Sequence, residues 1–391
     1  MHTVSGVADQ NSIAPSSPAR QSSTAISPTS PEKAAPAAIL SVATLLGEPE
    51  LSRAADAAFE LIRALGKSVD VRAIPASLAP CGVVGRIGVP REACSAMRSE
   101  RVMIAAAIGA DPLAPVPRLW RGMQRVAGVI VDVQQCTTLP GSAAARAGML
   151  RDVLLVSHRL RERAAVPAAA AAFSADAWTR AREAAELVYR LAAAEQRTVL
   201  LVLPVGRATV SQRLFADALE RQARAQRLAP ARVVKAGLLS ALLSSERGAA
   251  RWLAASVMRM DELRALTVEA IGDTGPWPMM SIGRQGTFFD MPAAADNTGH
   301  AIPLLLVMVY LLQRHGEATH AGALFRALLT TQTAAVRMRE ELGSDLAIPI
   351  DAFFSGVLAN WGRSQIDATL VGNYPNKRVR AARAIAVTAG C

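Results

Sequence analysis

Beyond residue 38, short β-branched runs alternate with longer stretches in which apolar residues recur every three or four positions. That alternation predicts an α/β protein. Strands are predicted at Val69–Ile74, Arg101–Ile108, Val126–Val133, Asp152–Ser157, Thr198–Leu203 and Arg232–Lys235. Helices are predicted at Pro49–Gly66, Ala175–Glu195, Val210–Gln226 and Ser240–Leu253. After Asp261 the pattern turns mostly helical, with segments at Pro303–His315, Ala318–Leu342 and Pro349–Trp361 separated by Gly316 and Gly343 as C-terminal stops. Residues 1–39, rich in Ser, Pro, Ala and Thr, lack a hydrophobic period and read as a disordered leader. Residues 376–391 form a basic tail.

The chain of 391 residues is long enough for one large or two ordinary domains, and its 51% hydrophobic content can build a real core. The longest apolar run, Ala301–Leu312, carries Pro303 and ends at Gln313-Arg314-His315. It falls well short of the ~20 residues that span a bilayer, so no transmembrane segment is expected and the run predicts a buried helix. Four cysteines at 81, 94, 136 and 391 share no metal spacing and suggest a reducing compartment.

A net charge of +11 invites a nucleic-acid reading. Against it, only four of the 43 basic residues are lysine and aromatic content is 4%, with no basic stretch interleaved with rings for base stacking. General basicity is therefore favoured over nucleic-acid binding. The leader resembles a transit peptide only poorly, because Asp9 and Glu32 offset Arg20 and Lys33.

Motifs with self-sufficient chemistry are missing. Neither phosphate-cradling glycine pattern occurs, and Gly283-Arg284-Gln285-Gly286 predicts a turn. The five histidines never fall at zinc-hydrolase spacing. Ser157 and His158 are adjacent on a predicted strand, where side chains point to opposite faces. Asp261-Glu262 opens a helix, a place where acids complement the macrodipole.

The text of the C-terminal half resembles the isocitrate/isopropylmalate dehydrogenase family, the metal-dependent β-decarboxylating dehydrogenases. The stretch Ser281-Ile282-Gly283 through Gly286-Thr287-Phe288, then Asp296, Gly299, Pro303 and the helix ending Leu312-Gln313-Arg314-His315-Gly316, carries the likeness. Upstream, Thr179-Arg180-Ala181-Arg182-Glu183-Ala184-Ala185, and earlier Leu139-Pro140-Gly141 followed by Asp152–Val156, resemble further family segments in the same order.

The resemblance implies an isopropylmalate dehydrogenase-like fold with a large mixed sheet flanked by helices. It implies a large α/β domain at 40–118 plus 267–375 and a smaller inserted dimerisation domain at 119–266. The apolar faces of Val210–Gln226 and Ser240–Leu253 are then candidate two-fold contacts.

The family's chemistry needs a lysine-tyrosine proton pair and a divalent metal. Its catalytic lysine falls on Pro204, its tyrosine near Ala164, and its Arg-Glu-Asn on Ser157-His158-Arg159. One substrate arginine reads Gln134 and another aligns with Gln124, flanked by Arg121 and Arg125, which are the candidate substrate-binding remnants. Of the metal carboxylates only Asp261 is matched, with Ala265 and Lys235 at the other two positions. The cofactor contacts fall on Phe289, Pro292 and Ile302, and the opening glycine loop shrinks to Leu46-Gly47-Glu48-Pro49-Glu50.

The expectation is a catalytically inactive relative serving as a structural or regulatory subunit of a larger assembly, as a homodimer or hetero-oligomer, with no cofactor. The alternative is a divergent NAD-dependent dehydrogenase, or its regulatory subunit, using NAD and Mg2+ or Mn2+. The basic charge, the cysteines and the family's habits point to the mitochondrial matrix, and otherwise to the cytoplasm.

Overall fold

The computed structural model describes residues 40–367 apart from 47–48, 65–68, 75–78, 81–86, 101, 107–114, 138–151, 160–174, 207–208, 246–250, 272–276, 292–296, 315–316 and 343–349. The leader, the basic tail, Ala164, Pro292, Gly316 and Gly343 lie outside the described residues.

Ten strands form one mixed sheet. They are β1 (Leu40–Leu46), β2 (Val69–Ala73), β5 (Val102–Ala106), β6 (Val129–Thr137), β7 (Asp152–His158), β8 (Thr198–Leu203), β9 (Arg232–Lys235), β10 (Arg251–Ser256), β11 (Met279–Gly283) and β12 (Thr287–Asp290). The order is β2-β1-β5-β12-β11-β6-β7-β10-β8-β9. Two short strands, β3 (Ala79–Pro80) and β4 (Ile87–Gly88), pair separately. Around β11 the sheet reverses direction: β11 is antiparallel to both β12 and β6, and β6 is antiparallel to β7. The two outer halves are otherwise parallel.

Helices cover both faces. On one lie α1 (Pro49–Ala64), α4 (Ala175–Glu195), α5 (Val210–Gln226), α8 (Asn297–Arg314), α9 (Ala318–Leu342) and α10 (Ile350–Asp367), sharing a continuous core with Val42, Ile104, Val131, Leu154, Leu201, Leu253 and Phe289. The other face is divided. There α2 (Arg91–Glu100) and α3 (Pro115–Val126) pack over Ala43, Met103 and Phe288, while α6 (Ala236–Ser245) and α7 (Met260–Ile271) pack over Val153, Leu155, Leu200 and Ala254.

Most predicted elements are present, and several bounds coincide. The predicted helix at Ser240–Leu253 is corrected: α6 ends at Ser245, and Arg251–Ser256 is the interior strand β10 between β7 and β8. Trp252 and Ala254 are buried under α6 and α7, while Leu253 and Ala255 are buried in the opposite core. A strand covered on both sides reads as an unbroken apolar run, which hydrophobic spacing alone cannot tell from a buried helix. The second half of that segment is therefore no free apolar face for a two-fold contact.

β1 was hidden for the same reason, and α2 and α3 were not predicted from the pattern. Pro115 and Pro117 of α3 sit in its first turn, where a missing N–H costs no intrahelical bond.

The predicted turn at Gly283–Gly286 closes a β11–β12 hairpin, with the Gly283 N–H donating to the Gly286 carbonyl at 2.9 Å. The Gln285 N–H also donates to the Ala127 carbonyl at 3.2 Å, which seats the hairpin on the end of α3. A Cβ at Gly283 would stand 2.8 Å from that same carbonyl, so only glycine permits the approach. Gly128, at φ +64°, supplies the left-handed bend from α3 into β6.

Candidate functional site

Where the divided face changes from one helix pair to the other, the sheet presents polar side chains. Register places Asp132 of β6 opposite Ser281 of β11 and Ser157 of β7, and Gln134 opposite Met279, itself opposite Asp290 of β12. Period-two alternation sets all of these on the α2/α3/α6/α7 side. From above, α3 contributes Gln124; from the end of β7 comes Arg159.

These groups are joined to one another. The Ser281 hydroxyl donates to Asp132 Oδ1 at 2.6 Å. Arg159 Nε donates to Asp132 Oδ2, its Nη1 to Gln124 Oε1 at 2.8 Å and its Nη2 to Ser281 Oγ at 3.3 Å. Gln124 Nε2 donates to Ser281 Oγ at 3.3 Å and to Asp290 Oδ2 at 3.4 Å. Ser281, Gln124 and Asp132 are buried, and Arg159 is partly exposed. Gln134 donates to the Trp277 carbonyl at 3.1 Å, and the Trp277 indole donates to the Thr137 carbonyl at 3.0 Å. These bonds let the strand continue past Val133 to Thr137 despite two consecutive glutamines.

Asp290 is the group left incomplete. Its Oδ1 is sealed from solvent and makes no hydrogen bond of good geometry, and the equally sealed Trp120 indole N–H beside it gives only weak support. Burial and then the neighbouring Asp132 carboxylate push its pKa up to about 7, against the opposing pull of Arg159, Trp120 and Gln124. Two carboxylates face one guanidinium here, and the second is held partly protonated near neutrality.

The sequence-derived site residues separate in space. Gln124 and Gln134, at arginine positions of the resemblance, belong to this seam. Arg121 and Arg125 do not: both are exposed on the outer side of α3, and Arg125 Nε donates to the Arg121 carbonyl at 3.4 Å. Pro204 follows the C-terminal end of β8, and Lys235 is exposed at the end of β9. Asp261 lies in the first turn of α7 and is ion-paired with Arg259 at 2.6 Å in an exposed position. Among the described residues, no group of three or more His, Cys, Asp or Glu side chains could hold a metal ion.

Ser157 and His158 diverge to opposite faces. The Ser157 hydroxyl donates to the Met258 carbonyl at 2.5 Å. His158 lies beneath α5 with its ring 5.1 Å from that of Phe215, its Nδ1 3.0 Å from the Ile130 carbonyl and its Nε2 unpartnered. Burial lowers its pKa to about 4 despite the Ile130 carbonyl, and Arg180 lowers it further, so the imidazole is neutral.

Arg159, Ser281, Asp290 and Asp132 were not foreseen as a cluster. The one local signal was the placing of Asp132 and Gln134 at alternate positions in an otherwise apolar strand.

A second network sits at the starts of β7, β8 and β10. Fully buried Arg197 bonds Glu195, Asp152 Oδ1 at 2.8 Å, and the carbonyls of Asp152 and Trp252 at 3.0 and 3.1 Å. Arg251 shares Asp152 at 3.0 Å. Burial would raise the Asp152 pKa, but Arg197 and Arg251 hold it below the usual carboxylate range. Its groups bond one another and neighbouring strand carbonyls, the pattern of a structural clamp.

The fold defines a class, a mixed α/β protein with a large ten-stranded sheet flanked by helices. No protein family and no curated protein matches the sequence. Among solved structures the chain is similar to the TT0538 protein of Thermus thermophilus, with a TM-score of 0.62 and 17% identity, covering 85% of this chain and 70% of that one. That likeness extends to the fold alone. Among the described residues no helix is long and apolar enough to cross a membrane.

Proposed function

We propose that this chain is a catalytically inactive relative of the isocitrate/isopropylmalate dehydrogenases, retained as a structural or regulatory subunit of a larger, mitochondrial assembly. The observation that carries the reading is the engagement of Arg159 within the seam. Arg159, the one guanidinium there among the described residues, is bonded to Asp132, Gln124 and Ser281 of the same chain, so binding a substrate carboxylate would mean breaking three internal contacts.

Three other positions point the same way. Proline stands at the position of the proton-transferring lysine and offers no proton. The matched metal carboxylate, Asp261, is neutralised by Arg259 on the surface. Lys235 stands where a further carboxylate is expected, and its charge would repel a cation. A scaffold kept for folding and association alone loses such groups while keeping its core.

The test is thermal unfolding of the full chain with NAD or NADP, Mg2+ or Mn2+, and isocitrate or isopropylmalate. A ligand at ~100 times its dissociation constant stabilises a fold by about 2.7 kcal/mol. No shift is expected. A clear shift, followed by turnover, would replace this reading with the second one, a divergent NAD-dependent dehydrogenase or its regulatory subunit.

A further inference from the structure

Six arginines on helices and turns of the described surface are matched by acids. Arg63 pairs with Glu60, Arg180 with Asp176, Arg190 with Glu186, Arg224 with Glu220, Arg259 with Asp261, and Arg284 with Glu183. Helix α3 has no acid of its own to offer. Its sequence, PVPRLWRGMQRV, contains three arginines and no acid. Arg118, Arg121 and Arg125 are all exposed, and among the described residues none has a carboxylate within ion-pair distance.

Helical geometry puts the three on one stripe. At about 100° per residue, positions 118, 121 and 125 fall within ~60° of arc, and at about 1.5 Å rise they span ~10 Å. The opposite side holds the helix firmly: Leu119, Trp120 and Met123 are buried against the sheet, and Gly122 lies close enough to Val89 that a Cβ would meet its side chain at 2.9 Å. The arginines are thus presented from a fixed backbone.

We infer that the outer face of α3 is a docking surface for an acidic α-helix of a partner protein, an inference resting on the reading of this chain as a subunit. Charge complementarity selects the occupant. A facing helix with carboxylates three and four residues apart offers one acid to each guanidinium, and planar guanidinium matches carboxylate in two-point contact.

The narrowness of the stripe argues against a polynucleotide. On neighbouring α2, Arg91 and Arg98 are accompanied by Glu92 and Glu100. Arg72, which reaches over α2 to Ser95 and Ser99, shares its strand with Asp70. Among the described residues α2 therefore carries as many acids as arginines while α3 carries none, and no aromatic ring among the exposed residues of α3 is available for a base to stack on.

The experiment uses the full-length chain and a labelled helical peptide carrying glutamates at positions i, i+3 and i+7, with a glutamine version and a single-stranded oligouridine as competitors. Binding of the glutamate peptide is expected, with Kd raised at least about tenfold, equivalent to ~1.4 kcal/mol, in Arg118→Glu/Arg121→Glu/Arg125→Glu. The milder Arg121→Gln/Arg125→Gln variant should weaken binding in the same direction, and Arg224→Glu should leave it unchanged. Equal binding by the variants and the parent, equal binding of the glutamine peptide, or no binding at all overturns the proposal. Displacement of the peptide by lower concentrations of oligouridine overturns it in favour of a nucleic-acid face. Failure here leaves the ligand-shift result untouched, and dehydrogenase turnover would overturn the subunit reading without altering the peptide result.

Discussion

Replacing Asp290 by asparagine should stabilise the protein at high pH and do almost nothing at low pH. An unfolded aspartate releases its proton near pH 3.9, as a rough reference, whereas burial and the Asp132 carboxylate keep Asp290 protonated up to about 7 in the fold. Between those limits the folded chain binds more protons than the unfolded one, so this residue's contribution to stability falls as pH rises. At about 1.36 kcal/mol per pH unit the full cost above neutrality approaches ~4 kcal/mol. Relaxation and water entry reduce it, and Asp290→Asn is expected to recover roughly 1–3 kcal/mol at about pH 8, shrinking to near zero at about pH 4. Urea denaturation of both proteins at several pH values reads the difference directly from the midpoints. A gain independent of pH, or one that grows toward acid, would refute the account of Asp290 as a buried carboxyl kept neutral by its surroundings.

Three further outcomes follow from named contacts. Arg197→Met leaves buried Glu195 and Asp152 with Arg251 as their only remaining cation in the network and should cost about 3–5 kcal/mol in chemical denaturation, since it breaks a buried ion network on one side only; a loss below ~1 kcal/mol would show the clamp to be dispensable. Asp152, whose carboxyl is held below the usual range, contributes stability at neutral pH that is lost as pH falls through its lowered value. An acid titration should therefore show unfolding beginning only below the usual carboxylate range, and at higher pH in Asp152→Asn. Gly283→Ala drives a methyl group to 2.8 Å from the Ala127 carbonyl and should cost about 1–3 kcal/mol, with the hairpin or α3 displaced in hydrogen exchange.

Much of the framework was legible because surface elements carry asymmetric patterns. Helices α4 and α5 alternate buried and exposed residues at helical spacing, and their predicted bounds coincide with the observed Ala175–Glu195 and Val210–Gln226. The Thr209-Gln212 capping box fixes the start of α5 by local chemistry alone. The strands Thr198–Leu203 and Arg232–Lys235 were bounded by turn residues and helices on either side. Where both faces of an element are buried, the pattern vanishes. Leu40–Leu46 and Arg251–Ser256 are strands because neighbouring strands pair with them, a fact stored in distant parts of the chain.

The seam shows the same limit for chemistry. The sequence placed Pro204 after a strand and Gln124 beside two arginines, and the resemblance alone attached chemical expectations to them. It could not say that α3 turns Gln124 inward and Arg121 and Arg125 outward, because a helix's rotation is set by the packing of Leu119, Trp120 and Met123 against the sheet. Nor could it unite Asp132, Arg159, Ser281 and Asp290, which are separated by up to 158 positions and meet only through strand register. Composition and local periodicity determined most of the elements; the tertiary structure decided which polar groups face one another, because desolvation and pairing depend on distances that chain order does not encode.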